Sequence, residues 1–228
     1  SPVRVLSWAI QQKCLVKHRG QRTIGKAHSK SRMRQKAVNF SEYRKLILSD
    51  LYRYCAAKGV MAFLRCLCLL PGYKYTFWMR TANYSKKNGI LFMPLYLISR
   101  LMMNRYQYRY GICIPYNTRV AEGLYIGHYG GIFVNHEAKI GKNCNLNQDV
   151  AIGATYSGKS PGIPTIGDNA YLGPGAKIIG GITLGSNVAV GANCVVNIDV
   201  PDSGVVIGNP CRIVSYRGSK EYIVNTAR

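Results

Sequence analysis

The stretch Pro164-Thr-Ile-Gly-Asp-Asn-Ala-Tyr-Leu-Gly-Pro-Gly-Ala-Lys-Ile-Ile-Gly-Gly181 decides the fold. Ile166, Leu172 and Ile178 stand six residues apart, and a glycine directly follows the first two. The same spacing runs outward in both directions. Towards the N-terminus it picks up Ile114, Val120, Ile126, Val134, Ile140, Leu146 and Ile152, and towards the C-terminus Leu184, Val190 and Val196. A two-residue alternation would indicate a small sandwich, whereas a period of six is the mark of a parallel β-helix built from hexapeptide units. Each aliphatic side chain is expected to point inward and stack on its equivalents in the coils above and below. Such burial is worth about 1.5 to 3 kcal/mol per side chain.

Two steps break the period. Ile126 and Val134 are eight residues apart, which inserts two residues around His128-Tyr-Gly-Gly131. Ile152 and Ile166 are fourteen apart, read here as two hexapeptides plus two residues, with Ala154-Thr-Tyr-Ser-Gly-Lys-Ser-Pro-Gly-Ile-Pro164 as an extruded loop. An uninterrupted coil needs no extra residues, so function is sought at the breaks. His128 lies in the first. His136 sits in a regular hexapeptide and reads as a solvent-facing turn.

The remainder of the chain has different physics. Of 228 residues, 31 are Lys or Arg and 9 are Asp or Glu, and the net charge of +22 divides as +10 over residues 1–40, +10 over 41–110 and +2 over 111–228. Residues 1–40 contain no acid and show no sustained apolar period, so they are expected to be a disordered basic tail or an artefact, with no function placed on them. Residues 41–110 read as a basic, aromatic helical region. Helices are expected from a Ser41 cap to Gly59, over Val60 to Leu70, over Tyr75 to Lys87, and over Leu91 to Tyr110. Ten of the 17 tyrosines lie there, interleaved with Lys and Arg. Three uses fit that pattern: a solvated cap, contact with a membrane surface, or nucleic-acid binding. The last finds no motif, and no nucleic-acid partner is expected. No apolar run is long enough to span a bilayer. The eight cysteines form no CxxC pair and read as reduced, buried small hydrophobes in a cytoplasmic protein, with no metal site. Residues 111–214 form the β-helix, and residues 215–228 a C-terminal tail.

Three segments, Gly123-Leu-Tyr-Ile-Gly-His128, Pro164 to Gly181 and Ile207-Gly-Asn-Pro-Cys-Arg-Ile-Val214, resemble the hexapeptide-repeat acyltransferases, and within them the serine acetyltransferase-like enzymes. The resemblance implies a mainly β fold, a left-handed parallel β-helix preceded by helices, a homotrimer with shared clefts, and acetyl-CoA as co-substrate. It also implies that His128 is the catalytic base, with a turn-stabilising histidine as the alternative. Gly153, Gly173, Pro174 and Ala192 would line the pantetheine arm, and Lys177 and Arg212 are candidates for the phosphates, ordinary surface charge being the other reading of both.

The chain also departs from the serine enzymes. They carry an Asp before the catalytic His and an Arg-His pair at the end of the extruded loop. Here Gly127 and Gly162-Ile163 stand at those places. The Asp that orients their histidine is missing too, with Ile112 or Cys113 near that place, which leaves a backbone carbonyl or Asn135 to hold the tautomer. An amino acid's ammonium and carboxylate would be buried without partners. The sequence is therefore read as an O-acetyltransferase acting on a sugar hydroxyl of a surface polysaccharide or lipid-linked precursor, at or near the inner face of the membrane. L-serine O-acetylation in cysteine biosynthesis and a non-catalytic β-helix assembly module are the alternatives.

Overall fold

The computed structural model describes residues 39–226. The basic stretch before Asn39, with Cys14, lies outside the described residues. Four α-helices come first among the described residues: α1 (Phe40–Cys55), α2 (Val60–Leu69), α3 (Pro71–Lys87) and α4 (Met93–Tyr110), the last preceded by a 3-10 turn at Ile90–Phe92. The first helix is capped by Asn39 and not by the expected Ser41. Asn39 is extended (φ −64°, ψ 144°) and its side-chain oxygen accepts from Ser41 N at 3.1 Å. Pro71 both ends α2 and starts α3, because proline at the first helical position gives up an N–H that would be unpaired anyway.

From Ile112 the chain winds into a left-handed parallel β-helix with three faces. Face A stacks β1 (Ile112–Cys113), β4 (Ile132–Val134), β7 (Ala151–Gly153), β10 (Lys177–Ile179) and β13 (Val195–Val196). Face B stacks β2 (Arg119–Val120), β5 (Lys139–Ile140), β8 (Thr165–Ile166) and β11 (Thr183–Leu184). Face C stacks β3 (Tyr125–Ile126), β6 (Asn145–Leu146), β9 (Tyr171–Leu172), β12 (Ala189–Val190) and β14 (Val205–Ile207), and is closed by the antiparallel β15 (Arg212–Ser215).

The period of six builds these faces. On face A, Val134, Ile152, Ile178 and Val196 are paired in register. Val120, Ile140, Ile166 and Leu184 repeat this on face B, and Ile126, Leu146, Leu172, Val190 and Val206 on face C. A second inward column lies two residues earlier in each hexapeptide. It holds Ile132, Val150, Ala176 and Cys194 on face A, and Leu124, Cys144, Ala170 and Val188 on face C, all buried. Two cysteines thus serve as small core residues, as expected, and burial pushes the Cys144 thiol up to about 12 and that of Cys194 to about 11. Cys66 and Cys113 are also buried, but Cys68 is exposed.

The register corrects one count. Ile152 belongs to face A, beside Ile178, and Ile166 to face B, beside Ile140 and Leu184. The fourteen-residue interval from one to the other makes one step from face to face, and not two hexapeptides plus two. A regular step takes six residues, so the surplus is extruded as a hairpin in which Thr155 and Gly162 exchange backbone hydrogen bonds of 3.1 and 2.8 Å.

The helices are keyed to the first coil by a buried ion pair. Asp50 of α1 and Arg80 of α3 are 1% and 6% exposed and meet at 3.0 Å. Asp50 Oδ1 accepts from the backbone N–H groups of Gly123 and Leu124, both at 2.9 Å. Arg80 donates to the carbonyls of Val120 and Ala121. At the other end of the molecule the chain turns back. Ser219 hydrogen-bonds Asn187 and Asn169, Tyr222 stacks on Tyr171 at 4.3 Å, and Arg53 of α1 donates to Val224 O and to Asn145 Oδ1.

Arg80→Met leaves Asp50 as an uncompensated buried charge and is expected to lower unfolding free energy by about 3 to 5 kcal/mol, measured by urea denaturation. The paired Asp50→Leu/Arg80→Met variant should recover part of that loss.

Candidate functional site

Face B is open but polar, and face C is covered. Face B turns Arg119, Lys139, Thr165 and Thr183 outward. The outward residues Tyr125 and Tyr171 of face C are covered by rings, since Tyr54 of α1 packs on Tyr125 at 4.7 Å and Tyr222 on Tyr171. Face A is different: Phe133, Ala151, Lys177 and Val195 alternate with the inward column, and Phe133 is exposed. An uncovered, largely apolar strip therefore runs down one side of the prism.

His128 stands at the edge of that strip. The chain leaves face C after Ile126 and enters face A at Ile132, and residues 127–131 form the corner. The two extra residues push this corner outward, and His128 is exposed. The corners of later coils stack beneath it through backbone hydrogen bonds. Asp149 N donates to Gly130 O at 2.7 Å, Gly175 N to Gln148 O at 2.9 Å, and Asn193 N to Pro174 O at 2.8 Å. His128, Gly173, Pro174 and Ala192 thus share one edge of the prism. With coils about 4.8 Å apart, the edge from His128 to Ala192 runs three spacings, about 15 Å. Gly173 is required for that stacking, because a Cβ there would lie 2.7 Å from Val190 O.

The other candidates stand elsewhere. Gly153 lies on the opposite edge of face A, where β7 gives way to the extruded hairpin. Lys177 begins β10, close to the His128 edge, but its ammonium is held by Asp149 at 2.9 Å and by the Asp149 carbonyl. Arg212 is exposed at the start of β15. Asn135 is on the far edge from His128, and its Oδ1 accepts from Glu137 N at 2.9 Å, so within one chain its side chain serves its own turn. His136, in the same turn, is exposed. Ile112 faces the prism interior and is fully buried, and Cys113 is buried as well.

The departures at Gly127 and Gly162-Ile163 have local causes. A Cβ on Gly127 would approach Tyr125 Cε1 to 3.0 Å, and that ring is fixed between Tyr54 and the Arg53 guanidinium. Gly162 has φ 138°, a region side chains disfavour, and a Cβ there would be 2.9 Å from Gly181 Cα. Ile163 packs against the core. Among the described residues, no group of three or more His, Cys, Asp and Glu could hold a metal ion.

The class that this fold and edge define agrees with comparison. Residues 163–197 match the bacterial transferase hexapeptide (six repeats) family. A serine acetyltransferase of Synechococcus elongatus is 31% identical over 165 residues, 72% of this chain and 64% of that protein. A serine acetyltransferase of Bacillus subtilis is 35% identical over 125 residues, 55% and 58% of the two chains. The soybean serine acetyltransferase apoenzyme superposes with TM-score 0.62 at 29% identity, covering 76% of this chain and 69% of its own. The chain spans less than two thirds of the length of these two sequence relatives. It resembles the serine acetyltransferases among the hexapeptide-repeat acyltransferases.

If both cations served a coenzyme's phosphates, their substitution should cost alike. The ion pair at Lys177 predicts otherwise. Arg212→Ala should weaken acetyl-CoA binding about tenfold, as loss of a charge-assisted hydrogen bond does, and Lys177→Met less than threefold or so, as judged by calorimetry.

Proposed function

We propose that the chain is an acetyl-CoA-dependent O-acetyltransferase in which His128 is the general base and L-serine the acceptor. The observation that carries the transferase reading is His128 at a register break, on the edge that Gly173, Pro174 and Ala192 continue. The acceptor rests on comparison, since the relatives named above are serine acetyltransferases. The polysaccharide acceptor expected from the sequence finds no support among them.

The chemistry needs little else. An alcohol is a weak nucleophile at neutral pH, so the His128 imidazole takes its proton as the oxygen attacks the thioester carbonyl. The tetrahedral oxyanion collapses, the C–S bond breaks, and the coenzyme thiolate leaves with the proton returned by the imidazolium. Backbone N–H groups of the glycine-rich corners are the candidate donors to the oxyanion. Face A is apolar and uncovered, while face C is occupied by helices and the returning C-terminal segment. A homotrimer that pairs face A with a neighbour would enclose the donor between chains.

A sugar hydroxyl is the second reading, favoured by one observation. Gly127 and Gly162-Ile163 supply no charge for an ammonium or a carboxylate. A neutral acceptor incurs no such desolvation penalty.

Thiol release from acetyl-CoA, with L-serine and a panel of sugars in parallel, tests both readings. Release with L-serine, falling by about 10² to 10⁴ in His128→Ala, is the expected result. Release with a sugar alone moves the acceptor to the second reading, and no release with any hydroxyl acceptor overturns the transferase reading.

A further inference from the structure

α2 reads Val60-Met-Ala-Phe-Leu-Arg-Cys-Leu-Cys-Leu69, with one charge in ten residues. Phe63, Cys66 and Leu67 pack inward with Leu51 and Tyr73. The opposite side of a water-facing helix is normally polar. Here it carries Val60, Met61, Leu64 and Leu69, with Met61 79% and Leu69 64% exposed. A second apolar patch follows α3. Ile90 and Leu91 are 87% and 85% exposed, and Leu97, Ile98 and Leu101 of α4 are exposed beside them in sequence. Exposed apolar side chains grouped on a helix in this way mark interaction surfaces, where singly scattered ones do not.

The charges around both patches have one sign. Residues 41–110 hold twelve basic residues and two acids. Asp50 is buried against Arg80, which leaves Glu42 as the acid at the surface of this region. Lys58 and Arg65 flank the first patch, and Lys86, Lys87, Arg100 and Arg105 the second. Several are braced on rings: Lys58 lies 5.2 Å from the Tyr52 centroid, Lys86 5.1 Å from Tyr96, and Arg100 5.1 Å from Tyr116. No helix among the described residues is long and apolar enough to cross a membrane.

We infer that the helical region docks on an anionic lipid surface, with α2 and the Ile90–Leu101 segment entering the boundary and the flanking cations meeting headgroups. Apolar side chains rimmed by Lys and Arg suit that interface on both counts. A second copy of the chain is a poorer occupant, because a symmetric pairing would set these cations against their own equivalents.

Flotation of the full chain with phosphatidylglycerol-containing vesicles, and with phosphatidylcholine vesicles as control, tests the assignment. The natural sequence should float with the anionic vesicles alone. Met61→Glu/Leu64→Glu and Leu97→Glu/Leu101→Glu should each bind about tenfold or more weakly, with unchanged melting temperatures, since the replaced side chains are exposed. Should one variant fail to fold, its melting curve shows it and the other carries the comparison. Equal binding by the variants would overturn the inference and assign the attraction to the basic residues 1–40. Absence of vesicle binding, with a shift of the variants to a smaller species on a sizing column, would overturn it in favour of a protein contact.

Discussion

A coil of this prism must return to its starting face with an aliphatic side chain in each of three inward columns. Phe133 lies beside Ala151, eighteen residues on, and Lys177 beside Val195 at the same interval. Where the chain has more residues than that circuit takes, the columns cannot accommodate them, since each inward place is already filled and buried. The surplus leaves at a corner. Two residues leave between Ile126 and Ile132 and carry His128 outward, and a longer segment leaves after Gly153 as a hairpin. His128 and the extruded hairpin thus both result from the same packing rule, and they stand at the two edges of face A, which helices and chain terminus leave uncovered.

The first coil also depends on Asp50 and Arg80. Both charges are withdrawn from water, and each satisfies backbone groups of the turn from Val120 to Leu124. Burial of that kind is tolerated only because every partner is in place. Its effect is to fix α1 and α3 against β3. That in turn fixes Tyr54 over Tyr125, and Tyr125 crowds the place of a Cβ on Gly127, 3.0 Å from its Cε1. The space beside the residue preceding His128 is therefore limited by a ring held from the helices, and not by the corner alone.

Much of this was readable in advance, for reasons that differ by residue. The first inward columns are Ile, Leu and Val at a fixed step, so Ile114 to Val196 declare themselves. The second column does not, because Ala138, Cys144, Ala170, Ala176 and Cys194 are too small to stand out in a glycine-rich sequence. His128 was marked by the break in step. The count across Ile152 to Ile166 misled, since two faces and one face can be reconciled with fourteen residues until pairing is seen. The partners of Lys177 and of Asp50 were out of reach, for Asp149 and Arg80 are brought near only by the winding of the chain. Asn39 shows the smaller limit of local signals: Ser41 is as good a capping residue, and the choice depends on where the helix meets its neighbours.

Solenoids are stacked units that each touch only the next, and their ends open independently of the middle. The segment from Ser215 to Asn225 removes that independence here. It descends from the last coil, runs back across face C, and ends against Arg53 of the first helix, 171 residues away in sequence. The array is thereby converted from an open stack into a closed loop, in which the terminal coil cannot fray without releasing the helices. Such a chain gives up the freedom to add or lose a repeat during evolution, and it unfolds as one unit where a plain stack would peel.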